Sequence, residues 1–375
     1  MTFFFKEDSL IHHLLYLFQQ SYPSADGKHY NDDKGSDIVK EAMLGIGFRE
    51  SEDAAFFMPQ AYTMGIPRVC AKNGRRTSPA SEFLAPALDQ TNIQLWTEAE
   101  AEKILLDASS TKATGLDIVL KGEKQTIKLA DNGLVVISGG GIMTPEVLLN
   151  SDIGPGLKVD NDAVNKGLTD KIVSNAEFHV PGLKKYEISP PTQEHQDLYV
   201  EKQSGPLAQF GPLLAGFIDA SLEDTEPGKK NTVEFFVGAS QKDDEVTVHF
   251  VHFTPKKDLG GGTFNEDYTK RSFKKAMGIV AEAMGKKGYE QTNLPDKFPL
   301  NAMNHPAGTC EIGKCVDENT LLLKGGVTNI AVVDNSLLPE QAVVHSVFSL
   351  MAIALRAAGI LNNFWGEVQI QNDEL

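Results

Sequence analysis

Two of the chain's nine histidines stand where an imidazole could do chemistry. His305 opens the stretch "HPAGTCEIG" (305–313), a His-Pro step leading into a turn of small residues. His345 begins an apolar helical stretch, "HSVFSLMAIALRAAGIL" (345–361), downstream of a strand that ends "VVDNS". An imidazole with a pKa near 6.5 takes a proton readily at neutral pH. A helix N-terminus carries partial positive charge and unpaired N–H groups, which stabilise an anion that forms during a reaction. The two histidines together point to proton abstraction beside a developing negative charge. Most single histidines are instead surface residues or hydrogen-bonded parts of a core. His249 and His252, in "VTVHFVHF", fall on opposite faces of a strand and make poor joint ligands.

Two further stretches carry polar or glycine-rich turns. "SGGGIMTP" (138–145) leaves a strand through three glycines. Such a turn lets backbone approach a phosphate or sugar, and equally lets it pack closely on protein. The G-x-G-x-x-G fingerprint is absent, because Met143 and Thr144 stand where its third glycine would be sought. "VVDNSLLP" (332–339) puts Asp334 and Asn335 at the C-terminal end of a buried strand, where ligands of α/β sheets gather. A turn hydrogen-bonded by its own Asp and Asn has the same appearance.

Cysteine is scarce. Cys70, Cys310 and Cys315 make an odd, low count that argues against a disulfide framework. Cys310 and Cys315 have the spacing of half a zinc site, but no second Cys/His pair accompanies them, so no metal is expected.

The net charge of −16 argues against nucleic acid and anionic membrane as partners, since both reward Lys and Arg. The opening "MTFFFKEDSLIHHLLYLFQQSY" is interrupted by Lys6, Glu7 and Asp8, unlike a signal peptide or a membrane span. Leu10, Leu14, Leu17 and Phe18 share a helical stripe, as in a docked amphipathic helix. No Asn-x-Ser/Thr sequon occurs, and an intracellular location is the default expectation.

The elements that must position these residues follow from periodicity. Residues 37–47 read as a helix that Asp37 caps. Short strands are expected at 92–96, 102–107, 114–120, 125–130 and 134–138, the last apolar on both faces and therefore central. Thr144 can cap a helix whose first residue is Pro145. A second strand-rich block spans about 170–255, followed by helices at 267–286 and 345–361 and a strand at 329–336. The fold class is α/β (α+β), with a glycine-rich strand-to-helix crossover in one part and a large, mostly antiparallel sheet in another.

In this order and near these spacings, the segments resemble the glucose–methanol–choline (GMC) family of FAD-dependent oxidoreductases. "VVISGGGIMTPEVLLNSDIGP" resembles the family's second signature, with Asp152 in place of the usual glycine. "NHPAGTCEIG" resembles its His-x-x-Gly-Thr-Cys segment, and "VTNIAVVDNSLLPEQAVVHSVFSLMAIALRAAGIL" its C-terminal end. "VNKGLTDKI" resembles a Gly-x-Leu-x-Asp-His step, with Lys171 where His is usual.

The resemblance implies a flavoenzyme that oxidises a small-molecule alcohol. His305 would be the base and His345 its assistant at the substrate oxygen or reduced flavin. Asp334 and Asn335 would lie against the ribityl chain and pyrophosphate, and Ser346 and Val347 near the pyrimidine end of the ring. Ala101 would meet adenine through its backbone, and Gly140 would sit near the adenosine. It also implies a partial FAD-binding domain (91–160 and 300–375), a substrate-binding domain (161–299), and a helical, loop-rich N-terminal segment (1–90) packing on both. Family members open on a strand–GxGxxG–helix unit that grips the FAD pyrophosphate, and this sequence has none. A separate N-terminal FAD-binding half is therefore an expected partner. Lys171, Asp152 and the missing fingerprint also suit a non-catalytic descendant, and a flavin-independent lyase or isomerase could reuse the histidine pair.

Overall fold

The computed structural model describes residues 34–51, 60–67, 70–72, 74–89, 92–186, 192–208, 214–223, 225, 231–253, 266–293, 300–341 and 346–373. They form two compact units, one within Met1–Ile93, Ile172–Phe253 and Glu266–Asn301, the other within Gln94–Lys171, Thr254–Asn265 and Ala302–Leu375.

Alternating and fully apolar runs build the sheet of the first unit. Its strands run in the order Arg49–Glu50, Thr63–Gly65, Leu214–Asp219, Thr232–Val237, Glu245–Phe253, Lys171–His179, Glu290–Gln291. The central pairings are antiparallel, with Gly216 opposite Phe235 and Phe235 opposite Phe250. The helix Glu266–Lys286 lays Phe273, Ala276, Met277, Val280, Ala283 and Met284 onto this sheet at three- and four-residue spacing. The helix Lys34–Leu44, begun three residues earlier than its Asp37 suggests, adds Val39 and Met43. His249 and His252 do fall on opposite faces. His249 stacks on Phe236 at 4.9 Å, while His252 meets Tyr268 and Phe273 of the helix at 6.1 and 5.7 Å.

In the second unit, Ala99–Leu106, Ala113–Leu120 and Glu123–Lys128 form an antiparallel meander. Val135–Ile137 and Ile330–Val332 pair in parallel beside it. Asn329 joins the two sheets: its Oδ1 accepts from the Ala113 N–H at 2.7 Å, and its Nδ2 donates to the carbonyls of Ala113 and Gly133 at 3.0 and 2.9 Å. Ile104, Ile137, Leu148, Ile153, Ile330 and Val332 lie in the core between these elements. Among the described residues, no helix is long and apolar enough to cross a membrane.

Four expectations need correction. "NIQLW" is not a strand; Leu95 and Trp96 are half exposed in a loop, with no strand paired to them among the described residues. Val135–Ile137 is not central among the described residues: it has one partner, and Val136 is 46% exposed. The helix after the glycines begins at Gly140, so Pro145 lies inside it and Thr144 is no cap. Finally, Cys310 and Cys315 form a buried disulfide, their Cα atoms 4.9 Å apart. It is a local staple across a tight turn, which counting cysteines does not reveal.

Candidate active site

Three turns of the second unit meet. The first is the glycine turn. Gly140 has φ +78°, a left-handed conformation that glycine adopts without the steric cost a side chain brings. That geometry aims its N–H at Asp334 Oδ2, 2.8 Å away. Thr144 accepts from the Gly139 N–H at 3.0 Å and donates its hydroxyl to the same Asp334 oxygen. Asp334 Oδ1 accepts from the Ser336 N–H at 2.7 Å and so starts the short helical turn Asn335–Leu337.

The second turn carries His305. Its N–H donates to Asp170 Oδ1 at 2.8 Å, and its carbonyl accepts from Gln341 Nε2 at 2.7 Å. Two residues on, Ala307 and Thr169 exchange backbone hydrogen bonds, both 2.9 Å long. Gly308, at φ +84°, brings the chain so close to Gly167 that an added Cβ would lie 2.5 Å from its carbonyl oxygen. From there the chain runs along the third turn, with the Gly308 N–H donating to Asn335 O and the Cys310 N–H to Ser336 O.

The three are fastened by side chains. Asn335 Nδ2 donates to Pro306 O at 2.7 Å. A Cβ on Gly141 would lie 2.4 Å from that same carbonyl oxygen, so only glycine permits this approach. Pro145 has no N–H, and the Gly141 carbonyl one turn back therefore lacks its helical donor. The Thr309 hydroxyl, 2.8 Å away and fully buried, donates to it instead.

Gly140, Asp334, Asn335 and the His305 turn are thus brought together. Ala101 stands apart from this clasp, on the exposed start of the meander at a bulge opposite Ile118. Ser346 is buried and Val347 half exposed at the start of the helix Ser346–Asp373. His345 lies outside the described residues, so its relation to His305 has no geometry here. Thr309, Asp170 and Gln341 escaped the sequence reading. Thr309 was within the His-x-x-Gly-Thr-Cys segment, and its partner Pro145 was visible as a proline that needs a substitute donor.

The two departures from the family pattern have different settings. Asp152 has φ +61°, a left-handed conformation that glycine adopts at less cost. A hydrogen bond from Lys158 and the charge of Lys103 hold its carboxyl below the usual range. Lys171 is fully buried, and its N–H donates to Asp170 Oδ1 at 2.7 Å. No cluster of three or more His, Cys, Asp or Glu able to hold a metal occurs among the described residues.

A flavin dinucleotide needs close backbone approach, polar partners for its hydroxyl and N–H groups, and stabilisation of negative charge. The clasp fits those needs. The space beside Gly140 is open: outside its own turn, no atom of the described residues lies within 4 Å of where a Cβ would stand. Asn335 Oδ1 is a buried acceptor with no donor among the described residues. A helix begins at Ser346. Asp334 contributes differently: protein donors engage both its oxygens, so it holds the glycine turn in shape.

Comparison with known proteins bears on the family and on the fold. Two family models, both described as GMC oxidoreductase, match residues 28–173 and 238–354. The chain is 24% identical over 354 residues to an alcohol dehydrogenase (acceptor) of Pseudomonas putida, covering 80% of this chain and 63% of that protein. It is 24% identical over 339 residues to choline oxidase of Arthrobacter globiformis, covering 78% and 60%. The chain thus spans somewhat less than two thirds of these relatives. Among solved structures, a formate oxidase variant of Aspergillus oryzae superposes with a TM-score of 0.71 at 15% identity, over 95% of this chain and 78% of that one. A fungal aryl-alcohol oxidase superposes with a TM-score of 0.71 at 14% identity, over 97% and 77%. With both family models matched in order and the two units folded as in these structures, the chain belongs to the GMC oxidoreductase family.

Proposed function

We propose that this chain carries the substrate side and part of the cofactor side of an FAD-dependent enzyme that oxidises the CH–OH group of a small alcohol to a carbonyl. The observation that carries the reading is the fastening of the His305 turn to the glycine turn and to Asp334–Asn335. Bound FAD would supply the two-electron acceptor for the substrate hydride. His305 would receive the hydroxyl proton on its imidazole. Gly140 and Asn335 would contact the cofactor, Asp334 would shape the turn, and the helix start at Ser346–Val347 would favour negative charge nearby. Ala101 would offer backbone to the adenine, and His345 would assist at the substrate oxygen.

The two-stranded parallel sheet supports a further part of the proposal. The second edge of Ile330–Val332 is bridged by Leu322, while that of Val135–Ile137 is open among the described residues. Parallel strands are ordinarily buried within larger sheets. A strand–GxGxxG–helix segment outside these 375 residues would complete the cradle. The test is to purify the chain alone and together with such a segment, then titrate FAD. The complex should be yellow, and an alcohol should bleach it anaerobically. His305→Ala should keep the flavin and lose the bleaching. Failure of both preparations to take up FAD, or bleaching of His305→Ala at the wild-type rate, overturns the reading. The buried Lys171 favours a second reading, a non-catalytic GMC-derived binding protein in which His305→Ala leaves every activity unchanged.

A further inference from the structure

His305 sits on a peptide that is gripped from outside its own segment at both ends. Asp170 Oδ1 accepts the His305 N–H, and Gln341 Nε2 donates to the His305 carbonyl. The same Gln341 amide reaches the Thr169 carbonyl at 3.2 Å. Two carbonyls accept only from an N–H, so the orientation of this amide is chemically fixed. Its Oε1 then points into protein with no donor among the described residues. Gln341 is buried, only 7% exposed. A buried amide with half its capacity unmet costs stability. Its donor end is what compensates.

The run 169–171 serves as a rail. The Met303 N–H donates to the Lys171 carbonyl at 2.8 Å, and Ala307 pairs with Thr169. Asn304, at φ +59°, turns the chain between these anchors, so His305 projects from a bend held on each flank.

We infer that Gln341 and Asp170 are positioning residues for His305, fixing its Cα by holding the peptides on either side; this rests on the reading of His305 as the base. Neither residue would touch substrate. Both act through His305, because a base displaced by an ångström loses much of its effect.

The test uses the full chain and three variants: Gln341→Met, which keeps length without donors; Asp170→Ala, which removes the acceptor; and Asp170→Asn, whose amide oxygen still accepts. The first readout needs no flavin. Diethyl pyrocarbonate modification of His305 is timed by peptide mass spectrometry, with His179 and His195 as internal controls. Gln341→Met and Asp170→Ala should change the His305 rate by about threefold or more through local opening, with the controls unmoved. Asp170→Asn should match wild type. The second readout uses the flavin-loaded complex, where the first two variants should lower kcat by about tenfold at unchanged KM. An unchanged His305 rate in both variants, or Asp170→Asn behaving as Asp170→Ala, overturns the inference. Should Gln341→Met fail to fold, the two Asp170 variants decide it. A changed His305 rate with kcat intact also overturns it. If wild-type complex oxidises no alcohol, the proposed function fails, while the modification rates still decide whether the grip holds His305.

Discussion

The two units hold their sheets together by different means. The first unit buries a wide sheet under one long helix, and its Phe178, Phe235, Phe250 and Phe273 are fully enclosed. The second unit has a parallel pair of three-residue strands with one edge open among the described residues. Its turns are fixed by single side chains: Asn329 between the sheets, Thr309 on Gly141, Asn335 on Pro306, and the Cys310–Cys315 bridge. Apolar area dominates where many residues share the load. Individual hydrogen bonds dominate where a turn must have one shape. The turns of the unit bearing the candidate site are thus set by individual bonds more than by bulk.

Substitutions in each unit test this contrast. Phe235→Ala, in the first core, should cost about 3–5 kcal/mol in urea denaturation; a cost near that of a single hydrogen bond would break the comparison. Next comes His252, fully buried against Tyr268 and Phe273, whose pKa burial pushes down to about 4. The unfolded chain binds this proton near pH 6.5 and the folded chain does not. Stability should therefore fall as pH drops from about 6.5 toward 4, by up to about 3 kcal/mol, and be flat above that window. His252→Phe should flatten the slope relative to wild type in matched melts.

In the second unit the expected effects are smaller. Replacing Cys310 and Cys315 together by Ser should cost about 2 kcal/mol, because the closed loop is short. Reduction of the wild-type protein should reproduce that loss in calorimetry. Thr309→Val keeps the shape but strands the Gly141 carbonyl, for about 1 kcal/mol, and should raise amide exchange in the His305 turn more than elsewhere. Asp152→Gly should leave the midpoint unresolved from wild type, since relief of the left-handed backbone offsets two solvent-exposed ion pairs.

Sequence pattern revealed the first unit well. Lys171–His179, Leu214–Asp219, Thr232–Val237 and Glu245–Phe253 all fall where alternation placed them, because burial against one partner face leaves a local periodic mark. The opposite faces of His249 and His252 were legible for the same reason. In the second unit the strands near 102–107, 114–120, 125–130, 134–138 and 329–336 were legible too, but its turns and helix start were not. "NIQLW" has strand composition but no strand paired to it among the described residues, and pairing is not written in five residues. The helix start at Gly140 depends on Asp334, nearly two hundred residues away, receiving the Gly140 N–H. The disulfide required the turn between Cys310 and Cys315 to close, which spacing alone leaves open. Of the site, the glycines, His305 and Asp334–Asn335 were visible as types, whereas their fastening by Thr309, Asp170 and Gln341 is tertiary.

Pro145 has a consequence for how the site is assembled. A proline within a helix is ordinarily a defect to be tolerated, yet here the vacancy it leaves is filled by a hydroxyl from the His305 segment. The flaw acts as a notch and Thr309 as its key. It adds one more fixed point to the alignment of two distant stretches of chain, one that a more regular helix would not have offered.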